Sequence, residues 1–335
     1  MSALSSGASS GKASPPSASP SQSAVNTPAT GSSRASSGAN TPRGSKKKIR
    51  ILMLHGYTQS GPIFKGKTNG LQKRLAKALA TLGLEPVLIY PTAPNRLTVD
   101  DVVGWERRQE PIADYEPDTW AWYRSDERQR RYLYLEEGMS RIAEALRQAR
   151  EEARQEGDED GAVEGVIGFS QGGCMAAMLA SALEGAHRPR GEGGEDGEDK
   201  GEGEGEARAH ERWLEAVREA NGGRPLKFAV VYGGFRAAPA DLGWLYSPRI
   251  ATPTMHWIGS LDTVVSEERS MGLVDQCVDP VVVNHPGGHF VPIDPRSVNA
   301  LVSFIHQYVQ GKKDQKAQQQ GGEEGAGKDD DDGLL

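Results

Sequence analysis

The segment GFSQGG, residues 168–173, contains the first candidate for chemistry in the sequence. Gly168, Ser170 and Gly172 have the G-x-S-x-G spacing of a nucleophile elbow, in which a serine occupies a strained turn between a strand and a helix. A side chain two positions before or after the serine would collide with neighbouring backbone, so glycine is required at both. The pentapeptide alone is a weak signal, because glycine and serine are common. The alternative is a glycine-rich turn without chemistry, and the rest of the chain has to decide between the two.

A serine hydroxyl becomes a nucleophile only when a base takes its proton and an acid orients that base. Downstream of Ser170, Asp262 follows one strand-like segment and His289 follows the next. The order serine, acid, histidine is that of the α/β-hydrolases. His285 is the alternative base, but it ends a strand before a proline, whereas the two glycines before His289 let the loop fold back over the sheet edge. We therefore predict Ser170 as the nucleophile, His289 as the base and Asp262 as the orienting acid.

Negative charge that develops on the substrate oxygen requires N–H donors placed to receive it. One predicted donor is the backbone N–H of Gln171, at the helix start directly after the serine. The other lies in the turn LHGYTQS after the first strand-like run, where we predict Tyr57 and keep Thr58 as the alternative. His55, which precedes the glycine of this turn, is interpreted as a residue that shapes the turn rather than as the base.

The hydrophobic pattern predicts the elements that must position these residues. Strand-like runs alternate with amphipathic helical segments along the chain, which predicts a mainly parallel sheet covered by helices on both faces. In such sheets the functional groups gather at the carboxyl ends of the strands. The six runs are KIRILMLHG, EPVLIYP, GAVEGVIGF, PLKFAVVYGGF, TPTMHWIGSLD and DPVVVNHPGGH.

Three segments are too polar to join a core, which leaves a single folded domain over residues 47–310. Residues 1–46 consist almost entirely of Ser, Ala, Gly, Pro and Thr and are expected to form a disordered arm. Residues 311–335 are expected to form a disordered tail. Residues 185–223 form an acidic insertion rich in glycine and glutamate, within which ARAHERWLEAVREA has the composition of a short helix.

Composition bounds the location and the partners. The net charge of −7 lies mainly in the insertion and the tail, and no segment of the core is basic enough for nucleic acid. The chain has no apolar run of about 18 residues, so no membrane span is expected. It has only two cysteines, which favours an intracellular, reducing location. A transit peptide in the basic arm is disfavoured, because the arm lacks an apolar stripe. We predict the cytoplasm, with the nucleus as a further location, and neither a cofactor nor a metal.

Together these motifs resemble the family of serine hydrolases first grouped in fungi, which includes an ovarian-cancer-associated hydrolase and thioesterases that act beside polyketide synthases. The resemblance extends over residues 49–310 and is carried by ILMLHGYTQSGPIFKGKTNGLQKRL, GFSQGG, WIGSLDTVV and HPGGHFVP. It implies an α/β-hydrolase fold, hydrolysis of carboxylic esters or thioesters, and a catalytic triad of Ser170, Asp262 and His289. The basic arm and the acidic insertion depart from the family pattern, but neither removes a triad member.

Aromatic residues between the second and third predicted strands are the candidates for a substrate pocket. Trp105, Trp120, Trp122 and Tyr123 lie in this irregular stretch, and pockets for apolar ligands are usually aromatic. The alternative is that these side chains only pack the loop onto the sheet. Family members commonly prefer alkyl-chain esters, so the resemblance implies a medium to long acyl chain. A protein with this fold that binds a ligand or partner without catalysis is the alternative function.

Overall fold

The computed structural model describes residues 46–98, 101, 118–189 and 202–310. The predicted tail, residues 190–201 of the acidic insertion, Trp105 and all but the last residue of the predicted arm lie outside the described residues. The strands are β1 Lys47–Leu54, β2 Leu84–Ile89, β3 Asn95–Arg96, β4 Trp120–Ala121, β5 Arg124–Asp126, β6 Arg131–Leu133, β7 Gly165–Phe169, β8 Phe228–Tyr232, β9 Thr254–Gly259 and β10 Val281–His285. The helices are α1 Gly61–Lys67, α2 Asn69–Thr81, α3 Leu135–Gln155, α4 Gln171–Leu183, α5 Glu202–Ala220, α6 Glu267–Val274 and α7 Pro295–Val309, with a 3₁₀ helix at Ala240–Tyr246.

Six strands form one parallel sheet in the order β10-β9-β8-β7-β1-β2. The prediction of a mainly parallel sheet is therefore confirmed, and all six of its strands come from the runs identified in the sequence. Strand β1 lies between β2 and β7, so the chain order reverses between β1 and β7. Ligands of open parallel sheets bind at the carboxyl ends of the strands where the order reverses. The Tyr57 turn follows β1 and Ser170 follows β7, which places both at this crevice.

Helices cover both faces of the sheet, because alternate residues of each strand point to opposite sides. On β1, Leu52 and Leu54 pack with helices α3, α4 and α5, whereas Ile51 and Met53 pack with α2 and α7. Helix α2 contributes a stripe of buried leucines at spacing four, which is the pattern of one helical face. The sheet is therefore buried between two helical layers, and the loops at its carboxyl edge begin from packed strands.

Helix α5 closes the acidic insertion and packs on the core. It begins earlier than the helical segment expected at residues 207–220. Trp213 and Leu214 are buried in the cluster that α3 and α4 share, and Arg212 forms an ion pair with Glu136 of α3. Its Arg218 donates hydrogen bonds to the carbonyls of Ala182 and His187. The end of the insertion is thus an integral part of this layer.

Both cysteines are buried and free. Burial raises the pKa of the Cys174 thiol to about 12 and that of Cys277 to about 11. Cys174 therefore serves as a small apolar side chain of α4, as the apolar pattern around it predicts. Among the described helices, none combines the length and the apolar composition needed to cross a bilayer.

Candidate active site

Ser170 occupies a strained turn between β7 and α4. Its backbone has φ 55° and ψ −118°, a conformation that costs a residue with a Cβ about 1 kcal/mol or more. The turn is held by the Ser170 N–H, which donates to the Tyr232 carbonyl at 2.8 Å, and by the Ser170 carbonyl, which accepts from the Gly173 N–H at 2.9 Å. Strain that the surrounding structure enforces in this way is typical of a functional position.

The two glycines that flank Ser170 are required by sterics. A Cβ on Gly168 would lie 2.0 Å from the Gly172 carbonyl oxygen, and a Cβ on Gly172 would lie 2.2 Å from the carbonyl oxygen of Leu54. Both contacts are with backbone, which cannot move aside. The first turn of α4 therefore packs directly on β7 and on the end of β1, the arrangement that the G-x-S-x-G spacing predicts.

Asp262 and His289 form a hydrogen-bonded pair at the ends of β9 and β10. The distance from His289 Nδ1 to Asp262 Oδ2 is 2.6 Å, and the Asp262 side chain is only 2% exposed. The other carboxylate oxygen, Oδ1, accepts from the N–H groups of Val264 at 2.8 Å and Val265 at 2.9 Å. Burial by itself raises the pKa of this carboxylate, but hydrogen bonds from these two N–H groups and the His289 ring outweigh burial and hold the pKa of Asp262 below its ordinary value.

His289 faces the same cavity as Ser170, and its ring packs on Phe169 with a centroid distance of 4.6 Å. His285, the alternative base, is placed differently. Its Nδ1 accepts from the Gly287 N–H at 3.3 Å, and its ring packs edge-on against Phe290. Of the two histidines, the structure therefore pairs His289 with Asp262.

Gly233, which the sequence analysis did not single out, lies against this pair. It follows β8 with φ +53°, and a Cβ there would lie 2.9 Å from His289 Nδ1 and 3.3 Å from Asp262 Oδ2. Glycine is thus required both by the left-handed backbone and by the proximity of the imidazole. The available signal was the glycine pair directly after a predicted strand in VVYGGF.

Replacement of Gly233 by alanine is expected to displace the His289 ring and lower kcat about 100-fold, since a displacement of about 1 Å has that order of effect. Gly223→Ala is the matched control, because Gly223 also has a positive φ, +68°, but no atom lies within 4 Å of its Cβ position. The control should lose about 1 kcal/mol of stability and keep its kcat. Equal kcat losses in the two variants, measured with any ester that the parent chain hydrolyses, would show that backbone strain rather than His289 is responsible.

The turn after β1 distinguishes the two candidate oxyanion donors that the sequence left open. The Thr58 N–H donates to the Trp120 carbonyl at 3.1 Å. Within the described part of the chain, the N–H groups of Tyr57 and Gln171 have no hydrogen-bond acceptor. A Cβ on Gly56 would lie 3.3 Å from Ser170 Cβ, so this turn lies beside the serine. Of the two residues in the turn, only Tyr57 retains a backbone donor without an acceptor among the described atoms.

His55 supports this turn in its neutral form. Its Nε2 lies 3.0 Å from the Ala93 N–H, which donates to it, so the proton is on Nδ1, which donates to the Gly56 carbonyl at 2.8 Å. Burial, opposed in part by the Gly56 hydrogen bond, lowers the pKa of His55 to about 4. Both ring nitrogens are engaged, which excludes His55 as the base and agrees with its interpretation as a residue that shapes the turn.

Stability is expected to fall as the pH drops from 6.5 toward 4. Because burial lowers the pKa of His55 from 6.5 to about 4, the unfolded chain binds a proton in this range that the folded chain does not. The loss is about 3 kcal/mol for His55, and His256, whose pKa burial also lowers to about 4, acts in the same direction. Urea unfolding at several pH values should show this slope, reduced in His256→Leu. A free energy of unfolding that stays constant over this range would contradict it.

The Gln171 side chain, whose role the sequence analysis missed, holds the loop that carries the predicted pocket aromatics. Its Oε1 accepts from the Trp122 N–H at 2.8 Å, and its Nε2 donates to the Tyr123 carbonyl at 2.8 Å. The Trp122 indole N–H donates to the His55 carbonyl at 2.8 Å. The loop, the elbow and the turn after β1 are therefore linked by side chains that are far apart in sequence.

The four predicted pocket residues differ in their burial and in whether they line a cavity. Trp122 has no exposed surface and packs in the core, so this side chain does not line a cavity. Trp120 is half-buried, and its indole N–H donates to Asp118 Oδ1 at 2.7 Å. Tyr123 stacks on Tyr132 at a centroid distance of 3.8 Å and lines a cavity of about 850 Å³ that also reaches Ser170. Trp105 lies outside the described residues.

A cavity of about 600 Å³ opens at Ser170 and His289. Its walls are largely apolar, and none of the side chains that form them was predicted as a pocket residue. Tyr57 was predicted only as a backbone donor to the oxyanion. No local sequence pattern groups them, since they come from five segments: the turn after β1, α1, the elbow and the two loops at the ends of β9 and β10. The apolar lining residues are Tyr57, Phe64, Phe169, Val264, Phe290 and Val291.

Comparison with known proteins identifies the family. Residues 45–301 match the family described as serine hydrolase (FSH1), which is more than half of the chain. The chain belongs to the FSH1 family of serine hydrolases. The parallel sheet with the elbow after β7 confirms the α/β-hydrolase fold predicted for this chain.

Relatives of this FSH1 chain include proteins named as esterases. It is 27% identical to esterase OVCA2 of Danio rerio over 272 residues, which cover 78% of this chain and 97% of the relative. It is 28% identical to Family of serine hydrolases 3 of Saccharomyces cerevisiae over 302 residues, 82% of this chain and 88% of the relative. A third match, 44% identical over 68 residues, is to a Schizosaccharomyces pombe protein named dihydrofolate reductase and spans 20% of this chain and 15% of that relative.

The chain spans only 15% to 37% of the length of the dihydrofolate reductase and of two mosquito esterases that it also matches. Among solved structures, the FSH1 chain is similar to Zea mays acyl-protein thioesterase 2, with a TM-score of 0.44 and 18% identity over 79% of this chain and 95% of that chain. Membership of the family is shown, and the reaction, the substrate and the residue roles are proposals.

Proposed function

We propose that this protein hydrolyses carboxylic esters or thioesters through an acyl-enzyme intermediate, with Ser170, His289 and Asp262 as the triad. The observation that carries the proposal is the Asp262–His289 hydrogen bond, 2.6 Å long, at the cavity that also contains the strained Ser170. A serine, a histidine and an acid in these relations are recognised by geometry and role, whatever their order in the chain.

In the first half of the reaction, Ser170 Oγ attacks the carbonyl carbon while His289 Nε2 takes the hydroxyl proton. The Asp262 carboxylate accepts the His289 Nδ1–H, which keeps Nε2 free as the base and stabilises the imidazolium that forms. The tetrahedral intermediate then collapses, the bond to the leaving oxygen or sulfur breaks, and His289 gives its proton to that atom. In the second half, a water loses a proton to His289 and attacks the acyl carbonyl. The bond to Ser170 Oγ then breaks, His289 returns the proton to Oγ, and the acid leaves.

The N–H groups of Tyr57 and Gln171 are the proposed donors to the oxyanion. Support comes from their lack of an acceptor in the described residues and from the position of Gln171 as the first residue of α4. A helix N-terminus presents free N–H groups and a partial positive charge, so it favours the charge that develops in the transition state. Removal of one such donor in another enzyme costs about 3 to 4 kcal/mol.

A medium to long acyl chain is the proposed substrate preference. The cavity at Ser170 has a volume within the range of small-ligand pockets and an aromatic lining that includes Phe64, Phe169 and Phe290. Each methylene buried in such a pocket contributes about 0.8 kcal/mol, so a longer chain binds more tightly until the cavity is filled.

Rates with aryl esters and thioesters of increasing acyl length test this function. We expect kcat/KM to rise with chain length and then level off. Val291→Phe, which fills part of the cavity, should lower kcat/KM about tenfold for the longest chains and little for acetyl. Val282→Phe, on the exposed face of β10, is the matched control and should leave the series unchanged. Ester binding without turnover would favour the alternative of a non-catalytic binding protein.

The proposed chemistry resides entirely in residues 47–310. Deletion of residues 1–46 is therefore expected to leave hydrolysis unchanged. The location in the cytoplasm or nucleus and the disorder of the arm and the tail stay predictions from composition.

A further inference from the structure

Large apolar side chains with exposed surface surround the opening of the cavity at Ser170. Leu261 is 70% exposed, Val264 60% and Phe290 51%, and Tyr57 and Ile293 add to them. We call these five residues the apolar collar. Isolated apolar residues are ordinary on a protein surface, but a group at one opening marks an interaction site.

The members of the apolar collar are neighbours in space. Tyr57, Val264 and Phe290 line the same cavity. The Leu261 N–H donates to the Gly287 carbonyl at 2.9 Å, which ties Leu261 to the loop that carries His289 and Phe290. Ile293 ends that loop, and its Cδ1 would lie 3.1 Å from a Cβ placed on Gly70 at the start of α2. The collar therefore runs from the loop after β9 to the first turn of α2.

Beside the collar, three helices carry positive charge and contain no acid of their own. Helices α1, α2 and α7 contain lysines and arginines but no aspartate or glutamate. Helices that follow parallel strands begin at the carboxyl edge, so the first turns of α2 and α7 lie at the collar, and Lys67 of α1 lines the cavity itself. The side chains nearest this edge, which we call the basic flank, are exposed and form no ion pair within the described residues: Lys65, Lys67, Lys73, Arg74 and Arg296.

The acids near the collar only partly offset the basic flank. The Tyr57 hydroxyl donates to the Asp101 carbonyl, but the Asp101 carboxylate forms an ion pair with Arg124, and Asp118 accepts a hydrogen bond from Ser60. Asp294 accepts hydrogen bonds from the N–H groups of Arg296 and Ser297 and thereby caps α7. Glu267 and Glu268 lie in the first turn of α6, after the loop that carries Val264. The charge is thus distributed unevenly around the mouth, positive along α1, α2 and α7.

We propose that the apolar collar and the basic flank dock this protein on a lipid surface that contains anionic headgroups. Apolar side chains that enter the acyl boundary beside lysines that contact anionic headgroups are the combination that binds proteins to such surfaces. The charge of the basic flank selects an anionic surface. A second copy of the chain would place the same positive flank against itself.

The apolar surface of the collar continues into the cavity at Ser170. Phe290 belongs both to the collar and to the cavity wall, where Phe169 and Val291 continue the apolar path to Ser170. An alkyl chain could therefore pass from a bilayer to the serine without crossing water, which favours a lipid surface over an acidic protein as the occupant. Docking goes beyond the proposed function and does not require hydrolysis.

Co-sedimentation of the full chain with vesicles tests the proposal. The Ser170→Ala variant is used, so that binding is measured without turnover. The result therefore does not depend on the proposed reaction. We expect binding to vesicles of phosphatidylcholine mixed with phosphatidylserine, weaker at high salt, and little binding to phosphatidylcholine alone. Lys65→Gln with Lys73→Gln should weaken the binding about tenfold or more, and Leu261→Ser should weaken it about tenfold.

Matched controls change the same chemistry elsewhere. Arg147→Gln with Arg154→Gln removes two exposed cations from α3, on the opposite face of the sheet, and Val278→Ser removes an exposed apolar side chain away from the collar. Both should bind as the parent does, and thermal unfolding should confirm that all variants are folded. Absence of binding, equal losses in the controls, or binding that is unaffected by the lysine variants would overturn the proposal. The proposal would also be overturned if the protein did not bind vesicles but self-associated, and if Leu261→Ser abolished that self-association.

Discussion

Ser170→Ala is expected to lower kcat for ester or thioester hydrolysis about a millionfold, by analogy with another Ser-His-Asp enzyme. Without Oγ no acyl-enzyme can form, and His289 has no nucleophile to activate. The fold should survive, because alanine fits the elbow: the two backbone hydrogen bonds that hold the turn, to Tyr232 and from Gly173, do not involve the hydroxyl. Single-substrate kinetics at saturating ester measure the loss.

Ser303→Ala, on the exposed surface of α7, is the matched control and should change neither kcat nor the free energy of unfolding. Residual activity from the remaining oxyanion donors is expected to stay about 10³ to 10⁴ times above the reaction in water. A folded Ser170→Ala protein that keeps one tenth of the parent rate would require a different nucleophile.

Asp262→Asn is expected to lower kcat about 10⁴-fold, as in another enzyme with this triad. The asparagine oxygen can still accept from the N–H groups of Val264 and Val265, at the present 2.8 and 2.9 Å, so the loop should keep its place. Its amide nitrogen then faces His289 Nδ1 and donates to it. The proton of the neutral imidazole moves to Nε2, which can no longer accept the Ser170 proton.

Asp294→Asn provides the control for this substitution. Asp294 accepts two backbone hydrogen bonds at the start of α7, which asparagine preserves, and it contacts neither His289 nor Ser170. Its kcat should stay near that of the parent. A loss of less than tenfold in Asp262→Asn, or equal losses in the two variants, would contradict the role of Asp262 as the acid that orients His289.

The parts of the site that could be predicted are those set by local sterics and chain order. Gly168 is needed because its Cβ position lies 2.0 Å from the Gly172 carbonyl oxygen, a constraint within the pentapeptide. Gly172 meets the Leu54 carbonyl oxygen of β1 at 2.2 Å, and the G-x-S-x-G spacing predicts it because the elbow packs on the neighbouring strand. The alternation of strands and helices predicts the parallel sheet, and the sheet in turn places Ser170, Asp262 and His289 at one edge. The pairing of Asp262 with His289 rather than His285 agrees with the glycine pattern of the loop.

The parts that escaped prediction depend on contacts between distant segments. Gly233 touches His289 only because β8 lies beside β9 and the loop after β10 crosses the end of β9. No local pattern therefore indicates what the glycine pair after β8 does. Trp122 was predicted as a pocket residue because it is aromatic and lies in the irregular stretch. Its ring is buried, and its indole N–H donates to the carbonyl of His55, 67 positions earlier. The cavity lining likewise comes from five segments whose convergence no local pattern reveals.

Labelling of the full chain with a fluorophosphonate, followed by mass spectrometry of its peptides, tests most directly whether Ser170 is the nucleophile activated by His289. The account predicts one covalent adduct, on the peptide that contains Ser170, absent in Ser170→Ala and formed far more slowly in His289→Ala. A folded protein that acquires no adduct, or whose adduct lies on another residue, would contradict it.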